Sequence, residues 1–344
     1  TPLKEYTPVP ITPSKRHMTV DWNEDAAAHL LRRTLFAPTF SEITSTGVDT
    51  MENTVSTLLA TQNQPDPPGD WVTEPPPQFD TLTEEEIMEL IETYYYRHFQ
   101  LIGWWMKRMA TQPMSIVENL SLFWHDHFAT SFDGVFFPQA MYQQNSVFRE
   151  YCLGNFRELL RRVSFGPAMM IWLNTNSNRV NHPNEKFSRE LLELFTIGVD
   201  NYTQTDVEEA ARSFTGYVTN GVNTNYNYNQ ATGYGSYWQQ RHDFGQKTFL
   251  GQTGNFDGDD IIDIILQQDQ TALFICEKIY KWFVYEVPDE TFINEMATIF
   301  CNSNYEILPV MEYMLSSDHF YNKKLSRLHD SKSIDCNPRY ISTI

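Results

Sequence analysis

Residues 181–217 read NHPNEKFSRELLELFTIGVDNYTQTDVEEAARSFTGY. Pro183 leads a helix whose apolar positions, Phe187, Leu191, Leu192 and Leu194, interleave with charges. The helix closes at Gly198, as expected when proline stands first and glycine last. Thr203 or Thr205 then caps a second helix, which Gly216 stops. Two helices with their own start and stop signals in so short a stretch point to a helical fold class, and the flanking sequence agrees. Upstream, DWNEDAAAHLLRRTLF (21–36) sets Ala27, Leu30, Leu31 and Leu35 on helical spacing before Pro38. Further helices are expected at about 50–61, from Thr83 to about Ala110, from Ser115 onward, at 138–163 and at 166–173. Four more are expected at Asp259–Leu266, Thr271–Val284, Asp289–Phe300 and Ile307–Ser316. The Thr83 helix carries aromatics around most of its circumference (YYYRHFQLIGWWMKRM), so burial on more than one side is expected. Ser115-x-x-Glu118 has the form of a capping box.

The fold class is therefore mainly α: a single large helical domain over 21–322, with a small β-hairpin or ordered-loop insertion near 217–250, where Asn, Tyr and Gly crowd. Residues 1–20, rich in Pro and Thr, read as an extended lead-in. Residues 63–77 hold prolines that forbid regular structure. Residues 323–344 are expected to form an irregular or truncated tail. No fixed-period repeat is present.

Composition narrows the function classes. The chain has 344 residues, 41% of them hydrophobic, enough for a sizeable core, and a formal net charge of −19. That field opposes nonspecific attraction to nucleic acid or anionic membranes, so nucleic acid is not an expected partner. No apolar run is long enough for a membrane span. Cys152, Cys276, Cys301 and Cys336 form no CxxC pair, which excludes zinc ribbons and thioredoxin-like motifs and leaves two disulfides or buried thiols as alternatives. The first residue is Thr1, so removal of an earlier segment is an open reading, and no targeting signal is legible.

Three stretches carry candidate chemistry. In FWHDHFATS (123–131), His125 lies seven residues after Glu118, within about 20° around a helix, so the two share a face. His127 lies about 200° round from His125 unless the helix ends there. Two imidazoles and a carboxylate suit Zn²⁺ or Fe²⁺, or acid/base work near neutral pH. The plainer alternative is an aromatic core in which a backbone carbonyl satisfies one histidine. In NEKFSRELLEL (184–194), Glu185, Arg189 and Glu193 are spaced by four, with Glu190 beside them. Either this is a solvent-facing salt-bridged helix, or Glu190 completes a metal site and Arg189 binds an anion. In RHDFGQKTFLG (241–251), His242, Asp243 and Lys247 form a ligand-binding loop or an Asp-capped turn. NFDGDDIID resembles a calcium loop, but the EF-hand positions for Gly and Glu are filled by Asp260 and Leu266, and helix capping by Asp257 or Asp259 accounts for it better. GxSxG, GxxxxGK[ST], GxGxxG after a strand and HExxH are all missing.

Taken in order, DWNEDAAAHLLRR, ENLSLFWHDHFATS, FRELLRRVSFGPAMMIWLN, the 184–217 stretch and HDFGQKTFLG resemble the bacterial family known as domain of unknown function 1800. The resemblance runs from about 21 to 322. It implies a helix-rich, exported protein, and a protein partner from an adjacently encoded family that resembles alkaline phosphatases and sulfatases. It also implies continuation into a Lys-Ser-Pro segment and further helices, where this chain has KKLSRLHDSKSIDCNPRYISTI. The leading expectation is a metal-assisted hydrolase acting on an anionic or polymeric extracellular substrate. His127, Glu190, His242 and Asp243 would be catalytic, and Arg189, Lys247 and Asn184 would bind ligand. Glu118, His125 and Glu193 would hold a divalent metal, Zn or Fe. The alternative is a noncatalytic structural or binding subunit of an envelope or extracellular assembly. A carbohydrate-binding module, resting on Trp and Tyr content alone, is weaker, because most of those aromatics fall on helical core spacing.

Overall fold

The structure is a computed structural model that describes residues 20–77, 79–219 and 236–322. The lead-in, the centre of the Asn/Tyr-rich loop, Cys336 and the tail lie outside these residues.

Side-chain caps define where most helices begin. Asn23 accepts the amides of Asp25 and Ala26 and opens α1 (Glu24–Thr34). Reciprocal capping boxes, Thr39 with Glu42 and Thr83 with Glu86, start α2 (Phe40–Val48) and α4 (Glu84–Thr111), while Thr50 caps α3 (Met51–Leu58). The sequence reading omitted α2. Next come α5 (Val117–His127), α6 (Phe132–Val135), α7 (Pro138–Tyr151), α8 (Phe156–Ser164), α9 (Pro167–Trp172) and α10 (Glu185–Glu190). A π-helical turn, Leu191–Thr196, extends α10. The chain continues through α11 (Gln204–Ser213), α12 (Gly258–Leu266), α13 (Asp269–Phe283), α14 (Glu290–Asn302) and α15 (Ile307–Leu315). Thr203 with Asp206, and Asp257 with Asp260, form further capping boxes.

Four local expectations are corrected. Ser115 and Glu118 form no capping box: the Ser115 hydroxyl accepts only the Val117 amide at 3.3 Å, and the Glu118 carboxylate turns away into the interior. The expected 138–163 helix is broken at Cys152–Asn155, because the backbone there pairs with a distant segment. Phe156 N donates to Tyr305 O at 2.8 Å, and Ile307 N to Gly154 O at 2.9 Å. The 50–61 helix ends by Leu58, after which Leu58 O accepts Ile116 N at 3.0 Å. The fourth concerns α4, which buries only Tyr94, Leu101 and Trp105, on one side.

The insertion consists of two small antiparallel pairs. β1 (Tyr217–Val218) pairs with β2 (Ser236–Tyr237), and β3 (Lys247–Phe249) with β4 (Gln252–Gly254). Gly216 enters β1 at φ +89°, where a Cβ would stand 2.8 Å from Trp238 O, so neither the backbone angle nor the space admits a side chain.

Two hydrophobic clusters hold the elements together. The larger joins α1–α3, α5 and α7–α15 around residues such as Leu120, Trp124, Phe156, Leu191 and Phe300. The smaller gathers Trp71, Tyr94, Leu101, Phe132, Phe137 and Met141, so the Pro-rich loop is anchored by its one tryptophan. Cys152, Cys276 and Cys301 are free thiols, and burial pushes Cys152 up to about 12. No helix among the described residues is long and apolar enough to cross a membrane.

Candidate functional site

Glu118 lies in the first turn of α5, facing α4 and α7. Its two oxygens accept Nε and Nη2 of Arg149 at 3.0 and 2.9 Å, and Oε2 also accepts the Trp105 indole N–H at 3.0 Å. Both side chains are nearly sealed from solvent, at 2% exposure for Arg149 and 3% for Glu118. Arg108 approaches to 3.6 Å, Asn145 accepts Arg149 Nη1 at 2.9 Å, and the Trp104 ring covers the Arg149 guanidinium. A bidentate, doubly flanked carboxylate of this kind fixes three helices relative to one another. Two turns along the same face, the His125 ring meets the edge of Trp105 at 5.3 Å, as the seven-residue spacing requires.

His127 faces elsewhere because α5 remains helical through it. A carbonyl oxygen only accepts, so the 3.1 Å contact of Nε2 with Phe195 O places the ring proton on Nε2. Nδ1 is then free to accept the Lys278 ammonium at 3.2 Å. Lys278 also donates to Leu194 O at 3.0 Å. Both carbonyls belong to the π-turn, whose last acceptors lack partners of their own and carry the negative end of the helix dipole. Burial, and then the Lys278 charge, hold the His127 imidazole well below its ordinary value. Burial also lowers Lys278 and raises its neighbour Asp126. The arrangement is a neutral histidine braced between two helices, with a backbone carbonyl satisfying it.

The 184–194 motif lies at the surface end of α10. The Asn184 side chain caps the helix through Lys186 N at 3.0 Å and donates to Asn174 O and Ser177 Oγ, both at 3.0 Å. Arg189 bonds Glu185 at 2.9 Å and Gln204 at 2.8 Å, in an ion pair about two-fifths exposed on each side (41% and 39%). Glu193 accepts the Tyr202 hydroxyl at 2.8 Å. Glu190 is different: among the described residues its carboxylate has no hydrogen-bond partner. Burial, and then the Glu193 charge, raise its pKa.

The third motif docks the β3–β4 hairpin on α11. Asp243 accepts Arg212 Nε at 2.7 Å and Gly245 N at 2.8 Å, and the Arg212 hydrogen bond holds its carboxyl below the usual range. Arg212 also bonds both oxygens of Glu209, which in turn accepts Thr248 N at 3.1 Å. Asp206 does two things at once: it closes the α11 capping box and accepts Leu250 N at 2.7 Å. The Lys247 side chain, in a residue only 1% exposed, reaches Asp243 O at 2.5 Å and Phe256 O at 2.8 Å, and burial lowers its pKa. His242 contacts Thr215 O through Nδ1 at 2.8 Å.

Apart from Glu190, the candidates thus close their bonds with different neighbours: Glu118 with α7, His127 with the π-turn and α13, Arg189 with the start of α11, and Asp243 with its end. Among the described residues no three His, Cys, Asp or Glu side chains gather as a metal would require. Glu118, His125 and Glu193 do not form such a group. Reading the sequence missed Arg149 and Lys278. Their only signal was a charge bordering the apolar face of its helix, at the C-terminal end of α7 and within α13.

Fold and motifs together define a mainly helical protein whose motif charges lock helix to helix and hairpin to helix. The chain belongs to the family described as protein of unknown function DUF1800, whose profile matches residues 29–333. No curated protein and no solved structure matches it.

Proposed function

We propose that this protein is a noncatalytic structural or binding subunit of an exported envelope or extracellular assembly. One observation carries the reading: Glu118, His127, Asp243 and Lys247, four of the charged and titratable groups of the motifs, are all engaged by internal donors or acceptors. Groups held in this way fix geometry, and a reacting molecule would have to displace those bonds at several kcal/mol. A protein of the alkaline-phosphatase-like class is the candidate partner, and the acidic surface would set its charge preference.

A second reading rests on Glu190. A half-buried carboxyl with a raised pKa beside a second carboxylate is the pattern of an acid/base pair, and it would serve a hydrolase of anionic or polymeric substrates. One set of variants separates the two. The wild type, Glu190→Gln and Lys247→Met are assayed on chromogenic phosphate, sulfate, acetate and glycoside esters, and their unfolding free energies are measured in urea. The subunit reading expects no turnover above blank, a loss of about 3 kcal/mol for Lys247→Met and a change within about 0.5 kcal/mol for Glu190→Gln. Turnover that Glu190→Gln abolishes while stability holds would overturn it in favour of the hydrolase.

A further inference from the structure

The longest helix presents a largely exposed apolar seam to solvent. Along α4, Met88, Glu92, Tyr95, Phe99, Ile102 and Met106 succeed one another at spacings of four and three, the a/d pattern of a coiled coil. Met88, Tyr95, Phe99 and Met106 are exposed by 63%, 42%, 65% and 49%, and Tyr96 beside them by 65%. Ile102 is half-buried, and Glu92 is the one polar position. The buried side of the helix, Tyr94, Leu101 and Trp105, already packs into the protein, and of the exposed seam residues Tyr95 also touches Phe132 and Phe136, so most of the seam is additional to what the fold uses. It runs for about 27 Å at 1.5 Å per residue.

We infer that α4 is a self-association surface on which a second copy of this chain lays its own α4 antiparallel. Two features select this occupant. The charges the helix leaves to solvent are polarised: Glu84, Glu85, Glu86, Glu89 and Glu92 stand in its first turns and Lys107 near its end, while Arg97 and Arg108 are taken by Glu74 and Glu118 of the same chain. An antiparallel mate sets the glutamates of one copy toward Lys107 of the other and aligns the helix dipoles favourably, whereas a parallel mate sets glutamates against glutamates. The seam is also self-complementary about Arg97. Reversed on itself, it faces Met88 with Met106, Glu92 with Ile102 and Tyr95 with Phe99, giving an isologous two-fold contact with aromatic residues at its centre. At Gly103, adjacent to the position facing Glu92, a Cβ would meet nothing within 4 Å, which leaves room for the mate's backbone and the glutamate. An anionic lipid surface is a poorer occupant, because the glutamates of the first turns would be repelled by it. The inference stands whether the protein proves to be a subunit or a hydrolase.

The test is light scattering coupled to size exclusion on the full chain across a concentration series. The wild type is expected to shift from monomer to dimer. Phe99→Glu is expected to weaken that dimer by roughly a hundredfold or more, with an unchanged thermal midpoint at concentrations where both proteins are monomeric, because the side chain it replaces is largely in water there. In a Cys336→Ser background, mixed Met88→Cys and Met106→Cys proteins are expected to trap a disulfide with each other and not with themselves. A wild type that stays monomeric throughout overturns the inference, including one whose α4 instead binds phosphatidylcholine vesicles. So does a dimer indifferent to Phe99→Glu, or a Met88→Cys protein that crosslinks only to itself.

Discussion

His127 is a base kept neutral by its surroundings. Lys278 donates to one nitrogen and Phe195 O accepts from the other, so a second ring proton would have to displace an ammonium. The folded-state value therefore lies below the ~6.5 of an unfolded histidine. Below that pH the unfolded chain takes the proton first, so this group's contribution is complete above pH ~6.5 and is lost as pH falls beneath it, by up to about 1.4 kcal/mol per unit. Urea unfolding at pH 7.5 and 5.5 checks this: His127→Gln is expected to lose less stability between the two than wild type. An equal loss would place the acid sensitivity elsewhere. Glu118 and Arg149 give the second residue-scale expectation. Arg149→Met leaves a sealed carboxylate with only Arg108 at 3.6 Å as a charged neighbour and is expected to cost about 3 kcal/mol. Adding Glu118→Gln should restore part of that loss, because it is the unpaired charge, more than the missing contact, that destabilises.

At the scale of elements, the polar groups of α11 are shared between helix and hairpin. Asp260 closes a capping box alone, whereas Asp206 closes one and also accepts the Leu250 amide. Asp260→Ala is expected to cost about 1 kcal/mol and Asp206→Ala about 2. Hydrogen exchange distinguishes them further: the Leu250 and Thr248 amides should exchange faster in Asp206→Ala and keep wild-type rates in Asp260→Ala. The π-turn after α10 is likewise an element with a tertiary purpose. Gly198, at φ +75°, ends it, and Ile197 N and Gly198 N both return to Leu192 O, leaving Leu194 O and Phe195 O for Lys278 and His127. α4 shows the opposite case, in which aromatic richness read as burial is instead exposure on one side.

For the whole molecule, the helical class, most helix starts and stops, the Gly216 turn and the hairpin region were legible because each depends on residues within a turn or two. Asn23, Thr83, Thr203 and Asp257 each cap the helix that begins one residue later, and Gly198 stops the helix before it, whereas α11 ends at Ser213 and Gly216 instead turns the chain into β1. The shared face of Glu118 and His125 was legible too, through helix periodicity, although not that both meet Trp105 of α4. What sequence spacing does not carry is which distant charge meets which. Arg149 lies 31 residues from Glu118, and Lys278 lies 151 from His127. A buried carboxylate looks the same in the sequence whether its partner is a metal, a substrate or an arginine from another helix. The sequence by itself determined the elements and the family, because caps, stops and periodicity act locally. Only the tertiary structure decided which partners the motif charges take, Glu118 with Arg149 and His127 with Lys278 in the interior, and that one side of α4 faces water, because both depend on how helices far apart in the chain pack together.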